Sequence, residues 1–484
     1  MAPDTRPPEG SLSQSICPHV RMARGVVPHQ PDDPVLKAPY AHGALMFATL
    51  RPDLDRSGLE RWLIKIEALV QALRASMDED GNRLATVAVG FAPSFFTPQG
   101  AGEPRFAGVA PPAGFAELPP MPLGTPVSAD LVFYLVATAE AEIAKFVTGV
   151  SATAPDVTTL EVEQGYKSFP DKEAFGYADG VRNARANRND VVFVDADGQP
   201  EEPRWAIGGT YMSFLRITQD VGAFGQLPAS EQDNVMGRDR AGRRLDQPSA
   251  TSVADEGDFP GDLPAANSHV RKVGPRGGAD RDATQIFRRG LPFFEVKDNR
   301  VIQGLQFVSF QASLDQFDAV YGRWMLNADF PRQGTGQDAL VVRGLMNVER
   351  WGFFFVPPDS DDPIGTIMLK PDPETRRTKT GRVAVRKELL DANGNPSRGD
   401  LGGFTFQITR PDGTPVGAPF TTNSHGHALS EEIDSGDYKL TELPPQPPQP
   451  QMDPAAPQDF ALTSAHVVLR VKNQLPSGAG PYAG

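Results

Sequence analysis

The sequence has little cysteine and no excess of positive charge. Cys17 is the only cysteine among 484 residues, so neither an intramolecular disulfide nor a cysteine-based metal cluster can form. Lysine and arginine number 47 against 61 acidic residues, and this net charge of -14 argues against nucleic acid or an anionic membrane as a partner. The first forty residues lack an apolar run. We therefore expect a cytoplasmic protein, with export by a signal-independent route as the alternative.

Histidine is also scarce, and its distribution is informative. The seven histidines stand at 19, 29, 42, 269, 425, 427 and 466, so His269 is the only imidazole between Gly43 and Ser424. A single histidine cannot build a zinc site with its usual partners, but it is what a haem iron needs as its proximal ligand. The cations Arg271 and Lys272 beside it could meet haem propionates. A solvated loop histidine is the alternative.

A second candidate feature is the glycine-rich stretch from Phe175 to Asn183. It places Asp179 in Gly176-Tyr-Ala-Asp-Gly180, where the backbone can turn sharply and approach a flat ligand. An ordinary surface turn has the same appearance. His269 and the cationic Ile286-Phe-Arg-Arg-Gly290 segment, which begins a strand-like run, favour a site.

Hydrophobic periodicity predicts an α+β fold of two ferredoxin-like halves over residues 41–370. The first half reads β-α-β-β-α-β, and the same order recurs in the second half. The predicted strands cover 41–50, 84–91, 130–138, 158–164, 209–218, 293–295 and 304–311, and the predicted helices cover 55–77, 140–147, 221–227 and 314–326. Residues 1–40 are predicted to be an extended arm, and the long 234–279 connection is predicted to be functional or disordered.

Beyond residue 370 the composition changes. A charged linker at 371–380 precedes short β-rich runs separated by turn residues, which predict a small all-β sandwich over 381–475 and a tail at 476–484.

The motifs of the first region resemble those of dye-decolourising (DyP-type) haem peroxidases. The resemblance rests on Gly176-x-x-Asp-Gly180, Ser268-His-Val-Arg271, Ile286–Gly290 and Gly304-Leu-Gln-Phe307, followed by Trp324 and Asp329-Phe-Pro331, and it spans roughly residues 41–358. It implies a dimeric α+β-barrel fold, haem b as cofactor, His269 as the axial ligand, and catalytic Asp179 and Arg288 on the distal face. The further residues implied to contact haem are Gly180, Val181, Arg182, Gly274, Pro275 and Arg276.

The resemblance also implies a function. A DyP-type enzyme would reduce hydrogen peroxide, with Asp179 moving a proton and Arg288 stabilising developing negative charge, and would oxidise aromatic or dye-type donors in one-electron steps. For the carboxylate that holds the proximal histidine, Asp315 and Asp318 are the candidates. Surface electron relays are proposed at Trp205, Trp324, Trp351 or Tyr321, with core packing as the favoured alternative.

Two other classes of function stay open on the sequence. One is a haem carrier or iron-releasing protein on the same fold, and the other is an interaction protein led by the C-terminal β-module. Homo-oligomer formation and a protein or surface partner of that module are also left open.

The C-terminal region resembles the Cna B-type, SpaA-like (prealbumin-like) modules of bacterial surface proteins. The resemblance is carried by Val383–Lys387, Gly436–Glu442 and Val467–Asn473. It implies an intramolecular isopeptide bond between Lys387 and Asn473 assisted by Glu442. Three exposed residues at strand ends are the alternative.

Overall fold

The computed structural model describes residues 42–78, 83–97, 105–106, 109–154, 156–166, 172–178, 189–195, 199, 202–247, 263–274, 284–360, 362–370, 380–390, 401–422, 426–446, 452–462 and 466–475. The described residues form two compact units. The larger unit contains those from 42 to 194, 205 to 274 and 284 to 370, and the smaller contains those from 195 to 204 and from 380 to 475. Among these residues no helix is both long and apolar enough to span a membrane. The predicted arm and tail lie outside the described ranges.

The larger unit contains a ten-stranded sheet and several helices. The strands are β1 (His42–Leu50), β2 (Ala85–Phe91), β3 (Thr125–Pro126), β4 (Leu131–Ala137), β5 (Val157–Tyr166), β6 (Thr210–Gln219), β7 (Phe287–Arg288), β8 (Leu291–Lys297), β9 (Arg300–Gln311) and β10 (Met346–Val356). The α-helices are α1 (Arg56–Arg74), α2 (Pro93–Phe96), α3 (Glu140–Ser151), α4 (Asn189–Val192), α5 (Val221–Gln226), α6 (Ala229–Met236), α7 (His269–Lys272), α8 (Leu314–Asp318) and α9 (Ala339–Val342). A π-helix, Ala319–Met325, continues α8.

The sheet consists of two similarly ordered halves. The first half has the strand order β5–β1–β4–β2, and the second has β10–β6–β9–β8, with β7 also paired to β9. In each half the last strand lies beside the first, and the pairs within a half are antiparallel. Both halves are therefore ferredoxin-like, and they join where β2 meets β10 at Phe91 and Phe355. The predicted α+β fold of the first region is confirmed.

Side chains alternate along each strand between two hydrophobic clusters. On β1, Leu45 and Phe47 belong to an inner cluster shared by strands of both halves, whereas Ala44 and Met46 belong to an outer cluster shared with the helices. This alternation follows from the two-residue repeat of a strand, and here both faces are buried. The outer face of the second half is where the candidate site lies.

The strands at the outer ends of the two halves, β5 and β8, contact each other. This contact brings the two halves into a barrel. A Cβ on Gly165 would lie only 2.7 Å from the Cβ of Leu291, so glycine is needed for this close approach. Gln306 on β9 donates a hydrogen bond to the backbone oxygen of Gln164 at 3.0 Å.

The first half forms largely as its sequence predicts, because its helices have clear caps and apolar faces. Asp55 accepts a hydrogen bond from the backbone nitrogen of Gly58 at 2.7 Å and so starts α1. Trp62 packs inward, and its indole nitrogen donates to the hydroxyl of Thr153 at 2.9 Å.

In the second half α6, α7 and α9 were not predicted, and three other features differ from the prediction. β8 and β9 form one hairpin, in which Asp298 and Asn299 have φ of 51° and 59°, as a tight two-residue turn requires. The predicted helix 314–326 is α8 followed by a π-helix. No strand was predicted at β10, which is largely buried and lacks the alternation that marks a half-exposed strand.

The smaller unit contains two four-stranded sheets around one hydrophobic cluster. In the first sheet β11 (Thr380–Leu390) pairs with β14 (His427–Leu429), β15 (Ile433–Asp434) and, in parallel, β18 (His466–Gln474). The second sheet has the order β13 (Pro415–Thr421), β12 (Thr405–Thr409), β16 (Gly436–Glu442) and β17 (Gln458–Leu462). Val385 from the first sheet and Phe406 from the second share the cluster.

Candidate functional site

His269 is held by a buried carboxylate. Its Nδ1 lies 2.8 Å from Oδ2 of Asp338, whose side chain is fully buried. An ionised carboxylate can only accept a hydrogen bond, so the ring donates from Nδ1. Nε2 then has no hydrogen-bond partner among the described residues. The imidazole is thus oriented with one nitrogen fixed and the other available as a ligand.

The local backbone explains how His269 and Asp338, which are far apart in sequence, come into contact. Asp338 begins α9, where its Oδ1 accepts a hydrogen bond from the backbone nitrogen of Leu340 at 2.8 Å. The next residue, Ala339, donates from its backbone nitrogen to the backbone oxygen of Asn267 at 2.9 Å. α9 is therefore fastened directly to the segment that carries His269.

The surroundings of His269 act on its pKa in opposite directions. Burial lowers the pKa, but the charge and hydrogen bond of Asp338 outweigh burial, and the net shift is upward. Arg288 lowers the pKa and Glu173 raises it. Both charges therefore lie within electrostatic reach of the ring. About 26% of the side-chain surface remains accessible, so a ligand can reach this otherwise enclosed imidazole.

The proposed proximal carboxylates Asp315 and Asp318 are incorrect. Asp318 forms an ion pair with Nε of Arg323 at 3.2 Å, and Asp315 lies in the first turn of α8. Both lie on the predicted helix 314–326, whereas the carboxylate that contacts His269 stands 69 residues away from it in sequence. The available signal was an aspartate directly before the apolar Ala339–Val342 run, which is typical of a helix N-cap.

Arg288 is half-buried on β7, the short strand that pairs with β9. The structure thus brings two of the predicted site residues, His269 and Arg288, into one region. Gly274 follows α7 closely. The remaining predicted haem contacts, namely Asp179, Gly180, Val181, Arg182, Pro275 and Arg276, lie outside the described residues.

The turn that leads towards Asp179 is built around Glu173. Its carboxylate accepts hydrogen bonds from the backbone nitrogens of Phe175 and Tyr177, each at 2.9 Å. Gly176 between them has φ of 87°, a conformation that favours glycine. Arg240 donates to the backbone oxygen of Phe175 at 3.1 Å. The sequence identified the glycine but not the glutamate that holds the turn.

The aromatic residues considered as surface relays are mostly in the core. Trp205 and Trp324 are each 8% exposed, and Tyr321 is 3% exposed. Trp324 stacks on Phe330 at 5.5 Å between ring centroids, and burial raises the pKa of Tyr321 to about 12. Trp351 is half-buried. Core packing, the favoured alternative, describes Trp205, Trp324 and Tyr321.

A second cluster lies inside the smaller unit. Nζ of Lys387 is 2.5 Å from Oε1 of Glu442 and also forms a short hydrogen bond to Oδ1 of Asn473. The three residues are 1%, 4% and 6% exposed, so they are not exposed strand ends. Burial lowers the pKa of Lys387, and the hydrogen bond and charge of Glu442 only partly oppose this effect.

The environment of this cluster fixes the other two side chains as well. Nδ2 of Asn473 donates to the backbone oxygen of Asp453 at 2.8 Å, and Oε2 of Glu442 accepts from the backbone nitrogen of Ala455 at 2.7 Å. The Lys387 ammonium lies 4.7 Å from the ring centroid of Phe404. The amine and the carboxamide thus meet in an apolar interior beside a carboxylate.

Comparison with known proteins agrees with the fold of the larger unit. Residues 171–360 match the family model described as Dyp-type peroxidase, C-terminal. The chain is 32% identical over 207 residues to deferrochelatase of Escherichia coli (strain K12). The matched region covers 40% of this chain and 45% of that protein. The chain therefore spans less than half the length of this curated relative.

Solved structures show the same fold at lower identity. Ferric DtpA from Streptomyces lividans is 22% identical, with a TM-score of 0.57 and coverage of 72% of this chain and 97% of that one. A DyP-type peroxidase from Cellulomonas bogoriensis is also 22% identical, with a TM-score of 0.55, and covers 71% of this chain and 97% of that one.

Fold and site together define an α+β-barrel protein in which a buried carboxylate orients a partly accessible histidine. Over residues 171–360 the chain is similar to the C-terminal part of the DyP-type peroxidase family. Members of that family bind haem and are oxidoreductases that act on hydrogen peroxide.

Proposed function

We propose that the chain is a haem-dependent peroxidase that reduces hydrogen peroxide and oxidises aromatic or dye-type donors in one-electron steps. The observation that carries the proposal is the 2.8 Å hydrogen bond between His269 Nδ1 and Asp338, which leaves Nε2 available as a ligand. Reduction of one peroxide to two waters consumes two protons and two electrons, so two donor molecules are needed for each turnover.

The residues present fit a haem group. An axial histidine needs one nitrogen held by a second group and the other free, and the Asp338 carboxylate supplies the hold. Bound haem would supply the iron at which peroxide is reduced and would pass oxidising equivalents to the donors. The protein must supply the orientation of His269, positive charge and proton transfer.

Arg288 and Asp179 are the residues we assign to those last two tasks. A guanidinium stays protonated at every relevant pH, so Arg288 can stabilise negative charge that develops on a departing oxygen. Asp179 would take a proton from one peroxide oxygen and return it to the other, which is general acid–base catalysis by a carboxylate. Such a base stays ionised in mild acid, where an imidazole would be protonated.

His269→Ala tests the proposal most directly. We expect the purified variant to lose bound haem, or to show a changed ferric Soret spectrum, because no other described residue replaces the axial nitrogen. His42→Ala is the matched control, since His42 begins β1 and is expected to retain wild-type haem content. An unchanged spectrum and haem content in His269→Ala would show that the axial assignment is wrong.

A second candidate function is iron release from haem on the same fold. The name deferrochelatase carried by the curated relatives favours it. The two functions differ in their products. A peroxidase consumes peroxide over many turnovers and keeps its iron, whereas an iron-releasing protein accumulates metal-free porphyrin, which is detected by its fluorescence.

We further propose that the smaller unit is a Cna B-type module with a covalent Lys387–Asn473 amide. The support is the buried contact of the lysine amine with the Asn473 carboxamide beside Glu442. The neutral amine attacks Cγ of Asn473, a new C–N bond forms, the carboxamide C–N bond breaks and ammonia leaves. Glu442 carries the proton from the amine to the leaving nitrogen.

Intact mass spectrometry tests the bond. The cross-linked chain is lighter than the sum of its residues by one ammonia, and Glu442→Ala should restore the full mass. A wild-type chain of full mass, with separate Lys387 and Asn473 peptides after digestion, rules the bond out. Deletion of residues 380–484 tests whether this module instead leads the function, because partner binding would then be lost while peroxide turnover remained.

A further inference from the structure

A buried polar row crosses the outer face of the second half beside Arg288. Ser213 on β6 lies directly opposite Ser309 on β9, and Ser309 lies opposite Arg288 on β7. Directly opposed residues of antiparallel strands point to the same face, with Cβ atoms about 5 Å apart. Ser309 therefore stands next to the arginine that the proposed function places at the peroxide.

The direction of this row follows from the alternation of side chains. Phe287 packs against the inner cluster, so Arg288 must face the outer side, as must Ser309 between the inner residues Val308 and Phe310. Gln311, two residues further along β9, faces the same way. Ser213, Ser309 and Gln311 are all completely buried.

Two polar atoms of this row have no hydrogen-bond partner in the part of the chain that the structure describes. Gln311 Nε2 donates to Ser213 Oγ at 2.8 Å, but Gln311 Oε1 and Ser309 Oγ are unpaired. Whichever way the Gln311 amide is oriented, one of its two polar atoms is left over. Buried polar groups are nearly always paired, so two unpaired ones beside a cationic residue require an explanation.

We propose that Ser309 and Gln311 form a binding position for a small neutral hydroxylic ligand, which is hydrogen peroxide in the working enzyme. Peroxide carries two O–H donors as well as acceptor lone pairs. Arg288 can only donate, so it cannot bind the peroxide protons. Ser309 Oγ can accept or donate, and the Gln311 carbonyl oxygen can accept. The row thus supplies the acceptors that a lone arginine lacks and favours peroxide over anions.

This inference rests on the proposed peroxidase function, because peroxide is a substrate only there. It also makes a prediction about the apoprotein. If the Ser309 hydroxyl is retained for a ligand, it has no partner in the apoprotein. A buried hydroxyl without a partner adds nothing to the stability of the fold and carries a desolvation cost. Ser309→Ala should therefore melt at the same temperature as the wild-type apoprotein or higher. A serine that served only the fold would lower the melting temperature on removal.

The test uses the haem-loaded full chain and the variants Ser309→Ala and Gln311→Leu, with the exposed-helix variant Ser151→Ala as control. Loss of one neutral hydrogen bond should lower the second-order rate constant for peroxide by about fivefold in each variant, while kcat at saturating peroxide is retained. Fluoride affinity of the ferric protein should stay within about twofold of wild type, because Arg288 is retained in both variants.

The outcomes separate this inference from the function on which it rests. If the wild-type protein turns over peroxide and Ser309→Ala does so at the same second-order rate, the binding position is disproved and the peroxidase function stands. A lower melting temperature of the Ser309→Ala apoprotein also contradicts it. If the wild-type protein shows no peroxide turnover, both are wrong.

Discussion

At the scale of single residues, Asp338 determines what His269 can do. The carboxylate fixes the ring tautomer and raises the pKa of the ring against the effect of burial. Groups that hold a metal-binding histidine in this way tune the ligand itself, since a stronger hydrogen bond makes the imidazole more basic.

Asp338→Asn should therefore weaken haem binding by about 10–100-fold, the usual cost of removing such a partner. Because a less basic imidazole stabilises the ferric state less, the reduction potential of the bound haem should rise. Haem titration and spectroelectrochemistry measure the two effects. Asp318→Asn is the matched control, because Asp318 pairs with Arg323 instead, and an equal loss in both variants would contradict the assignment.

The residue scale also shows what the sequence could and could not predict about the site. The composition singled out His269, since no other imidazole is available over a long stretch of chain. Asp338 was missed because the hydrogen bond that matters joins residues 69 positions apart. Only the fold brings α9 onto the segment that carries the histidine.

At the scale of elements, α7 is anchored by the residue at its C-terminal end. Lys272 is completely buried, and its Nζ donates to the backbone oxygens of Asn327, Phe330 and Gly336 at 2.5, 2.6 and 3.0 Å. The helix that begins with His269 is thus fastened to the loop that precedes Asp338.

Lys272→Met should destabilise the larger unit by roughly 3 kcal/mol, because three buried carbonyl groups lose their donor. Urea unfolding followed by tryptophan fluorescence measures the loss. Lys65→Met is the comparison, since Lys65 is exposed and its pair with Asp156 is worth about 1 kcal/mol or less. Equal midpoints for the two variants would show that the anchor has no energetic role.

Element prediction succeeded where local signals agree with the fold. α1 has a capping aspartate and a continuous apolar face, so its start at Arg56 lies within a residue or two of the predicted boundary. For β8 and β9 the sequence predicted only parts of the two strands and not the hairpin that joins them. The tip of this hairpin is polar, and Phe294 is 65% exposed, so the hydrophobic pattern does not extend to the turn. β10 is buried on both faces in its second part, so its apolar run has no periodicity to distinguish a strand from a helix.

At the scale of the whole molecule, the smaller unit without the proposed amide has a pH dependence that follows from Lys387. Burial lowers the pKa of this lysine in the folded state, whereas the unfolded chain keeps a pKa of about 10.4. Below the folded pKa both states are protonated, and the cost of burying the charge is fully present. As the pH rises through the folded pKa the folded state loses its proton first, so stability increases up to the unfolded pKa.

Asn473→Ala removes the carboxamide and leaves the lysine free to titrate. The reference is the double variant Lys387→Met/Asn473→Ala, which has no lysine at this position. Between the folded-state and the unfolded-state pKa of Lys387, the unfolding free energy of Asn473→Ala relative to this reference should rise by up to about 1.4 kcal/mol per pH unit. Hydrogen exchange of peptides from β11, compared between the variants at each pH, measures this difference. A difference independent of pH would contradict the lowered pKa.

The parallel pairing of β11 with β18 sets how the smaller unit responds to mechanical force. The two strands are the first and the last of the unit, and their register runs from Arg382 opposite His466 to Leu390 opposite Gln474. Tension applied through the flanking chain pulls the start of β11 and the end of β18 in opposite directions, so the backbone hydrogen bonds are loaded together in shear rather than broken one after another. With the proposed amide in place, the load would cross from Lys387 to Asn473, and the 86-residue span between them would carry no tension.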